Sequence, residues 1–223
     1  MKGRRTGLAA LVLAASLAQA QTDVLVSHYD AGRTSQNLNE ATLTTASVSV
    51  ATFGKVYTFP VDGQVYAQPL YKSNLTIAGK GTFNVVFVAT EHSSVYAFDA
   101  DAATPIWHRS FINPATGLTS RPTNASLEDI NPEVSITSTP VIDPTSNTLY
   151  VVAQTVQSGS PAYYWLHALD ITTGAEKFGG PATLNVSVAA SNGDSVNGIQ
   201  TLTTSCIQRA ALLLANSNIY IGF

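Results

Sequence analysis

Two stretches of sequence decide the fold: VYAFDADA (Val95–Ala102) and LHALDITT (Leu166–Thr173). They match at a shift of 71 residues, and the same shift places Gln68–Leu70 on Thr139–Val141. Each copy is rich in β-branched and aromatic residues, the residue types that favour strands. A repeat of this length predicts tandem units, each made of several short strands.

The first copy shows the strand pattern within one unit. Val85–Thr90 and Ser94–Asp99 predict its second and third strands, joined by the polar turn Glu91-His92-Ser93. Beyond the N-terminal region, no window has a helical hydrophobic period. Four-stranded units in tandem are typical of a β-propeller.

A third copy begins near residue 207, where Asn218–Ile221 matches Thr148–Val151. We therefore predict an all-β chain that forms an incomplete β-propeller of four-stranded antiparallel blades, with about two and a half blades present. The chain is expected to be an N-terminal fragment of a longer propeller. The predicted blades span about 61–111, 133–188 and, incompletely, 207–223.

The first twenty residues have the pattern of a signal peptide rather than of folded structure. A positively charged start precedes the apolar run Leu8–Leu17, and Ala18–Ala20 gives the small-x-small pattern of a cleavage site. The run is too short for a permanent membrane anchor, so no transmembrane segment is expected after cleavage. We expect a periplasmic or extracellular protein, with Sec and twin-arginine export both open. Residues 21–60 are predicted to be a lead-in strand segment before the propeller at 61–223.

Charge and cysteine content exclude some functions. The sequence pI is about 5.7 and the net charge is −3, with no basic run after residue 5. Nucleic-acid binders normally carry a basic patch, so that role is not expected. The only cysteine, Cys206, either pairs outside this chain or is a small buried residue. The four histidines show no metal-ligand spacing.

The repeat contains a recognisable motif. Ala-x-Asp-x3-Gly-x3-Trp resembles the tryptophan-docking signature of quinoprotein-like (PQQ-type) propellers, with Ala103 in place of Gly in the first copy and Phe178 in place of Trp in the second. In such families these residues tie a blade to its neighbour, so Trp107 and Phe178 are expected to be buried at equivalent positions. The resemblance implies structural docking roles for Ala97, Asp99, Trp107, Ala168, Asp170, Gly174 and Phe178.

The resemblance implies two functions of different classes. One is a binding or scaffold module, with a protein or small-molecule ligand at the propeller axis. The other is the N-terminal part of a PQQ-dependent dehydrogenase, and only this alternative implies PQQ and calcium. The adjacent cysteines typical of those dehydrogenases are missing from residues 112–139. No catalytic residue can be assigned, and whether the whole protein is an enzyme stays open.

Asp62 and Glu133 are the candidate site residues. Each precedes the predicted innermost strand of its blade, so both are expected on one face, at the inner rim. Converging carboxylates there suit a cation or a cationic ligand group. The alternative is ordinary turn chemistry, with Asp62-Gly63 as a turn pair.

Overall fold

A computed structural model describes residues 23–124, 129–158, 160–191, 193, 195–202 and 206–223. The predicted signal peptide lies outside these residues. Within them the fold is all-β, and the only helical element is a short 3₁₀ turn at Pro114–Thr116. No helix in this part of the chain is long and apolar enough to cross a membrane.

Blade 1 is a four-stranded antiparallel sheet in the order β1-β2-β3-β4. Its strands are β1 (Leu70–Ile77), β2 (Gly81–Thr90), β3 (Ser94–Asp99) and β4 (Pro105–Ser110). Buried and more exposed residues alternate along β1, as expected for a strand whose two faces differ. The residues between β2 and β3 form the predicted turn.

Blade 2 follows the same plan but carries extra strands. Its four blade strands are β7 (Val141–Asp143), β8 (Thr148–Gln157), β9 (Ala162–Asp170) and β10 (Ala182–Thr183). The connector before it contributes β5 (Leu118–Pro122) and β6 (Glu133–Val134). Because β5 pairs with the far half of β8, the sheet gains two strands and the connector is fixed to the blade.

Two short hairpins complete the described structure. They are formed by β11 (Ser187–Ala189) with β12 (Ile199–Thr201), and by β13 (Leu213–Ala215) with β14 (Asn218–Tyr220). The second hairpin lies where the sequence predicts the third blade, and β13 contacts β7 of blade 2. The prediction of an all-β, incomplete propeller of antiparallel four-stranded blades is confirmed.

Apolar contacts between blades form the core. Along β8, Leu149 and Val151 pack into one cluster with Phe87 of blade 1, whereas Val152 packs into a second cluster with Leu212. The alternation follows from the strand period of two, which sends neighbouring side chains to opposite faces. Fully burying such a side chain contributes about 1.5–3 kcal/mol. Blade 2 is therefore held between its neighbours chiefly by apolar packing.

The N-terminal segment contacts all three blades. Val24 forms an isolated bridge with Tyr71 of β1, with both N···O distances at 2.8 Å. The next carbonyl, of Leu25, accepts a hydrogen bond from Ile142 N of β7 at 2.8 Å. The Arg33 guanidinium reaches the carbonyls just before β13, at 3.4 and 3.3 Å. Residues 24–33 thus lie along the first strands of successive blades.

Apart from the bridge at Val24, the prediction of a strand in the lead-in segment 21–60 is wrong for its described residues, 23–60. Among described residues 23–60, only Val24 takes part in a β-bridge. Serine and threonine side chains here bond to nearby backbone, as in Ser47 Oγ to Thr42 O at 2.6 Å and Thr52 Oγ1 to Ser47 O at 2.7 Å. Such local bonds offer the backbone an alternative to a strand ladder and favour turns.

Candidate functional site

Trp107 docks blade 1 onto blade 2. Its indole Nε1 donates a hydrogen bond to the Ile171 carbonyl at 2.9 Å, and its ring lies against Gly174. A Cβ at Gly174 would stand 2.7 Å from Trp107 Cε3, and Gly174 has a φ of +72°. Only glycine satisfies both the close approach and the left-handed backbone at this position.

The two predicted Asp residues organise equivalent turns. Asp99 Oδ1 accepts the Asp101 N–H at 2.9 Å, and Asp170 Oδ1 accepts the Thr172 N–H at 2.8 Å. Burial opposes ionisation of Asp170, but the hydrogen bonds from Thr172 outweigh it and hold its pKa below the usual value. The motif alanines, Ala97 and Ala168, are both buried.

Phe178 contradicts the expectation of a buried, equivalent aromatic. Its side chain is 71% exposed, and Lys177 Nζ lies 5.3 Å from the ring centroid. In blade 1, Trp107 stands opposite Ala97. In blade 2, the backbone N–H of Lys177 donates to Ala168 O at 2.7 Å, so Lys177 takes the corresponding place. Phe178 lies one residue beyond it and turns away from the blade interface.

Asp62 lies beside the β2–β3 turn. Thr90 Oγ1 donates to its Oδ1 at 2.9 Å, and Ser94 Oγ donates to its Oδ2 at 2.5 Å. His108 Nε2 is 3.9 Å from the same Oδ2. Both carboxylate oxygens of Asp62 are therefore already engaged.

Glu133 approaches the same turn from the connector between blades 1 and 2. It begins β6, and its Oε1 lies 2.7 Å from His92 Nδ1. Gly63 permits the close packing here, since a Cβ on it would stand 2.8 Å from both His92 Cβ and His92 N. The structure thus brings Asp62 and Glu133 to one pocket of about 320 Å³. The pocket is lined by Val61, Asp62, Gly63, Gln64, Glu91, Pro132 and Glu133.

Glu91 is a pocket residue that sequence reasoning missed. Its side chain is only 1% exposed, and its Oε2 accepts the Ser135 N–H at 2.6 Å. The Thr137 hydroxyl is a second hydrogen-bond donor to this carboxyl group and favours its ionised form. Burial raises the pKa of the Glu91 carboxyl above its usual value. In sequence Glu91 reads as part of a polar turn, and only its position next to a histidine sets it apart.

Cys206 and His167 lie outside the lining of this pocket. Across the described residues, no group of three or more His, Cys, Asp or Glu side chains is arranged to hold a metal ion. Cys206 is exposed, so the expectation that it is a small buried residue is wrong. His167 is buried and lies 2.5 Å from Glu176, under the ring of Phe111 at the blade interface.

Comparison with known proteins adds no family assignment, since the chain matches no protein-family model and shows no significant match among curated proteins.

Proposed function

We propose that this protein is an exported, quinoprotein-like β-propeller that acts as a binding module, with its ligand site in the pocket between blades 1 and 2. One observation carries the proposal: Asp62 and Glu91 of blade 1 meet Glu133 of the following connector in a single pocket. Carboxylates repel one another, so their convergence costs stability unless something compensates. His92, 2.7 Å from Glu133 Oε1, supplies part of that compensation, and a ligand with a positive group would add to it.

The size and lining of the pocket support a small ligand. Its volume of about 320 Å³ falls at the lower end of the range for small-molecule sites, which is roughly 300–1,000 Å³. Val61 and Pro132 add apolar surface to the acidic walls. Small-molecule sites usually combine such surface with a few polar groups that orient the ligand.

The propeller family and the export route belong to the same proposal. Docking of Trp107 over the Gly174 turn supports the quinoprotein-like resemblance, because the motif residues meet across a blade junction. Export rests on the N-terminal sequence. Expression of the whole chain in a bacterium, followed by fractionation and N-terminal sequencing, should give an exported product that begins at Gln21. A cytoplasmic product that retains Met1 would reject export.

The binding test uses calorimetric titration of the full mature chain with putrescine, sucrose and citrate as cationic, neutral and anionic probes. The Asp62→Asn/Glu133→Gln double variant should bind putrescine at least ~10-fold more weakly, as expected when ~1.4 kcal/mol of charge interaction is lost. The matched control is Asp101→Asn/Glu40→Gln, which removes two acids outside the pocket lining and should bind as the wild type does.

Two results would reject this proposal. Failure of the wild type to bind any probe would reject the small-ligand site, and equal binding by the two double variants would place the site elsewhere. Addition of PQQ with calcium tests the alternative, and oxidation of an alcohol or sugar under those conditions would favour the dehydrogenase class over a binding module.

A further inference from the structure

We propose that the open edge of β14, in the third blade, pairs with the same edge of a second copy of this chain across a twofold axis. The two β14 strands run antiparallel, so the hairpins of the two copies form one four-stranded sheet. The pocket between blades 1 and 2 has no lining residue from 206–223, so pairing leaves it open in both copies. The dimer thus goes beyond the proposed binding function and does not depend on it.

The other two blades show what β14 lacks. In blade 2, each residue of Thr148–Tyr150 in β8 has one Cα partner in β7 and another in β9. A sequence shift of 70 residues places Asn218–Tyr220 on this stretch, but among the described strands these residues pair only with β13. In blade 1, β2 likewise lies between β1 and β3. The repeat therefore specifies a further antiparallel strand on the open side of β14.

This edge is accessible and lacks the features that usually keep a sheet edge from pairing. Tyr220 is 49% exposed, and residues 210–223 contain no charged side chain and no proline. Natural edge strands are commonly protected by charged residues, proline or bulges. The outer strand of blade 1 shows the contrast, since β4 begins at Pro105 and carries Arg109.

The chemistry of the edge favours a second copy as its partner. An isologous interface needs a self-complementary surface, and an uncharged edge meets its own copy without repulsion, whereas like charges directly opposite each other destabilise a sheet. Two identical strands related by a twofold axis can run antiparallel, which is the direction that β9 takes beside β8. Ile219 and Ile221 already pack in the apolar cluster with blade 2, so β14 is held in place before it pairs.

The test is sedimentation equilibrium of the whole mature chain over a range of concentrations. We expect the mass to double and then stay constant, because twofold pairing uses the open edge of both copies. Tyr220→Lys should weaken dimerisation at least ~10-fold, since it places like charges at the seam. The matched control is Tyr163→Lys, which alters a tyrosine that is 40% exposed in β9, a strand with neighbours on both sides. This control should dimerise as the wild type does.

Hydrogen exchange of the wild type at low and high concentration locates the interface. In the dimer, the backbone amides of residues 218–221 should include some that exchange at least ~10-fold more slowly than in the monomer. The physical reason is that pairing satisfies N–H groups that an open edge leaves to solvent.

Three results would overturn the proposal. A wild type that stays monomeric at every concentration would reject the pairing itself. Oligomers that keep growing with concentration would reject the twofold arrangement. A dimer in which no amide of residues 218–221 gains protection would place the interface elsewhere. All three are measured on the wild type, so they decide the question even if Tyr220→Lys fails to fold.

Discussion

Blades 1 and 2 share one turn after the third strand, but the residues that follow it go to different places. Asp99 N donates to Thr104 O at 2.8 Å, and Asp170 N donates to Ala175 O at 2.8 Å. The residue before each acceptor has a positive φ, +54° at Ala103 and +72° at Gly174. Three residues beyond this shared turn, blade 1 docks an indole on its neighbour and blade 2 exposes a phenyl ring.

A single extra residue accounts for the difference. The β3–β4 register of blade 1 passes from the pair Phe98–Pro105 to the pair Ala97–Trp107, which leaves Ile106 as a bulge. Pro105 has no N–H to give to the ladder, and proline in sheets is found at such irregular positions. Blade 2 has no bulge at the corresponding position, so Phe178 is shifted by one residue relative to Trp107. A shift of one residue along a strand sends a side chain to the opposite face of the sheet. Equal spacing in sequence therefore does not guarantee equal orientation.

The largest expected effect comes from removing the docked ring. Trp107→Ala should lower the free energy of unfolding by about 3–5 kcal/mol, because it removes a large aromatic packed between two blades. Phe178→Ala, at the matching sequence position, should change it by less than about 0.5 kcal/mol, since the ring is exposed. Urea unfolding followed by tryptophan fluorescence and circular dichroism measures both. Equal losses in the two variants would show that the blades dock alike.

The paired turns give a smaller effect with opposite signs. Gly174→Ala should destabilise the fold by about 2–4 kcal/mol, since the new methyl group meets Trp107 and the backbone is left-handed. Ala103→Gly should instead stabilise it by up to about 1 kcal/mol, because relief of the left-handed strain exceeds the added entropy of the unfolded chain. Thermal unfolding at one pH measures both variants. A loss of stability at both positions would contradict the equivalence of the turns.

The smallest expected effect is on the stability of the fold at low pH. The pKa of Asp170 is lower in the folded state than its ordinary value, so its contribution is present at neutral pH and is lost as the pH falls through that lowered value. Asp170→Asn should therefore flatten the loss of stability below about pH 4, by less than about 1 kcal/mol for a turn near the surface. Urea midpoints measured from pH 2.5 to 7 test this. An unchanged acid limb would show that the turn does not depend on the charge of Asp170.

The repeat made the fold class predictable because strands and turns are local features of sequence. The positions of Asp62 and Glu133 before their blades followed from the same register, although their meeting in a pocket needed the structure. Glu91 could not be identified, because its hydrogen-bond partner Ser135 is distant in sequence. The pairing of β5 with β8 is likewise non-local, and a bulge such as Ile106 leaves no reliable pattern in sequence.

The contacts of the N-terminal segment have a consequence for the order of folding. Arg33 bonds to carbonyls 178 and 179 residues away, so these contacts close a loop that spans most of the chain. Closing such a loop costs chain entropy before its contacts can stabilise the fold. Proteins rich in contacts between distant residues therefore fold slowly. The contacts of Arg33 with the third blade are thus expected to form late in folding, and a late kinetic phase should report their formation.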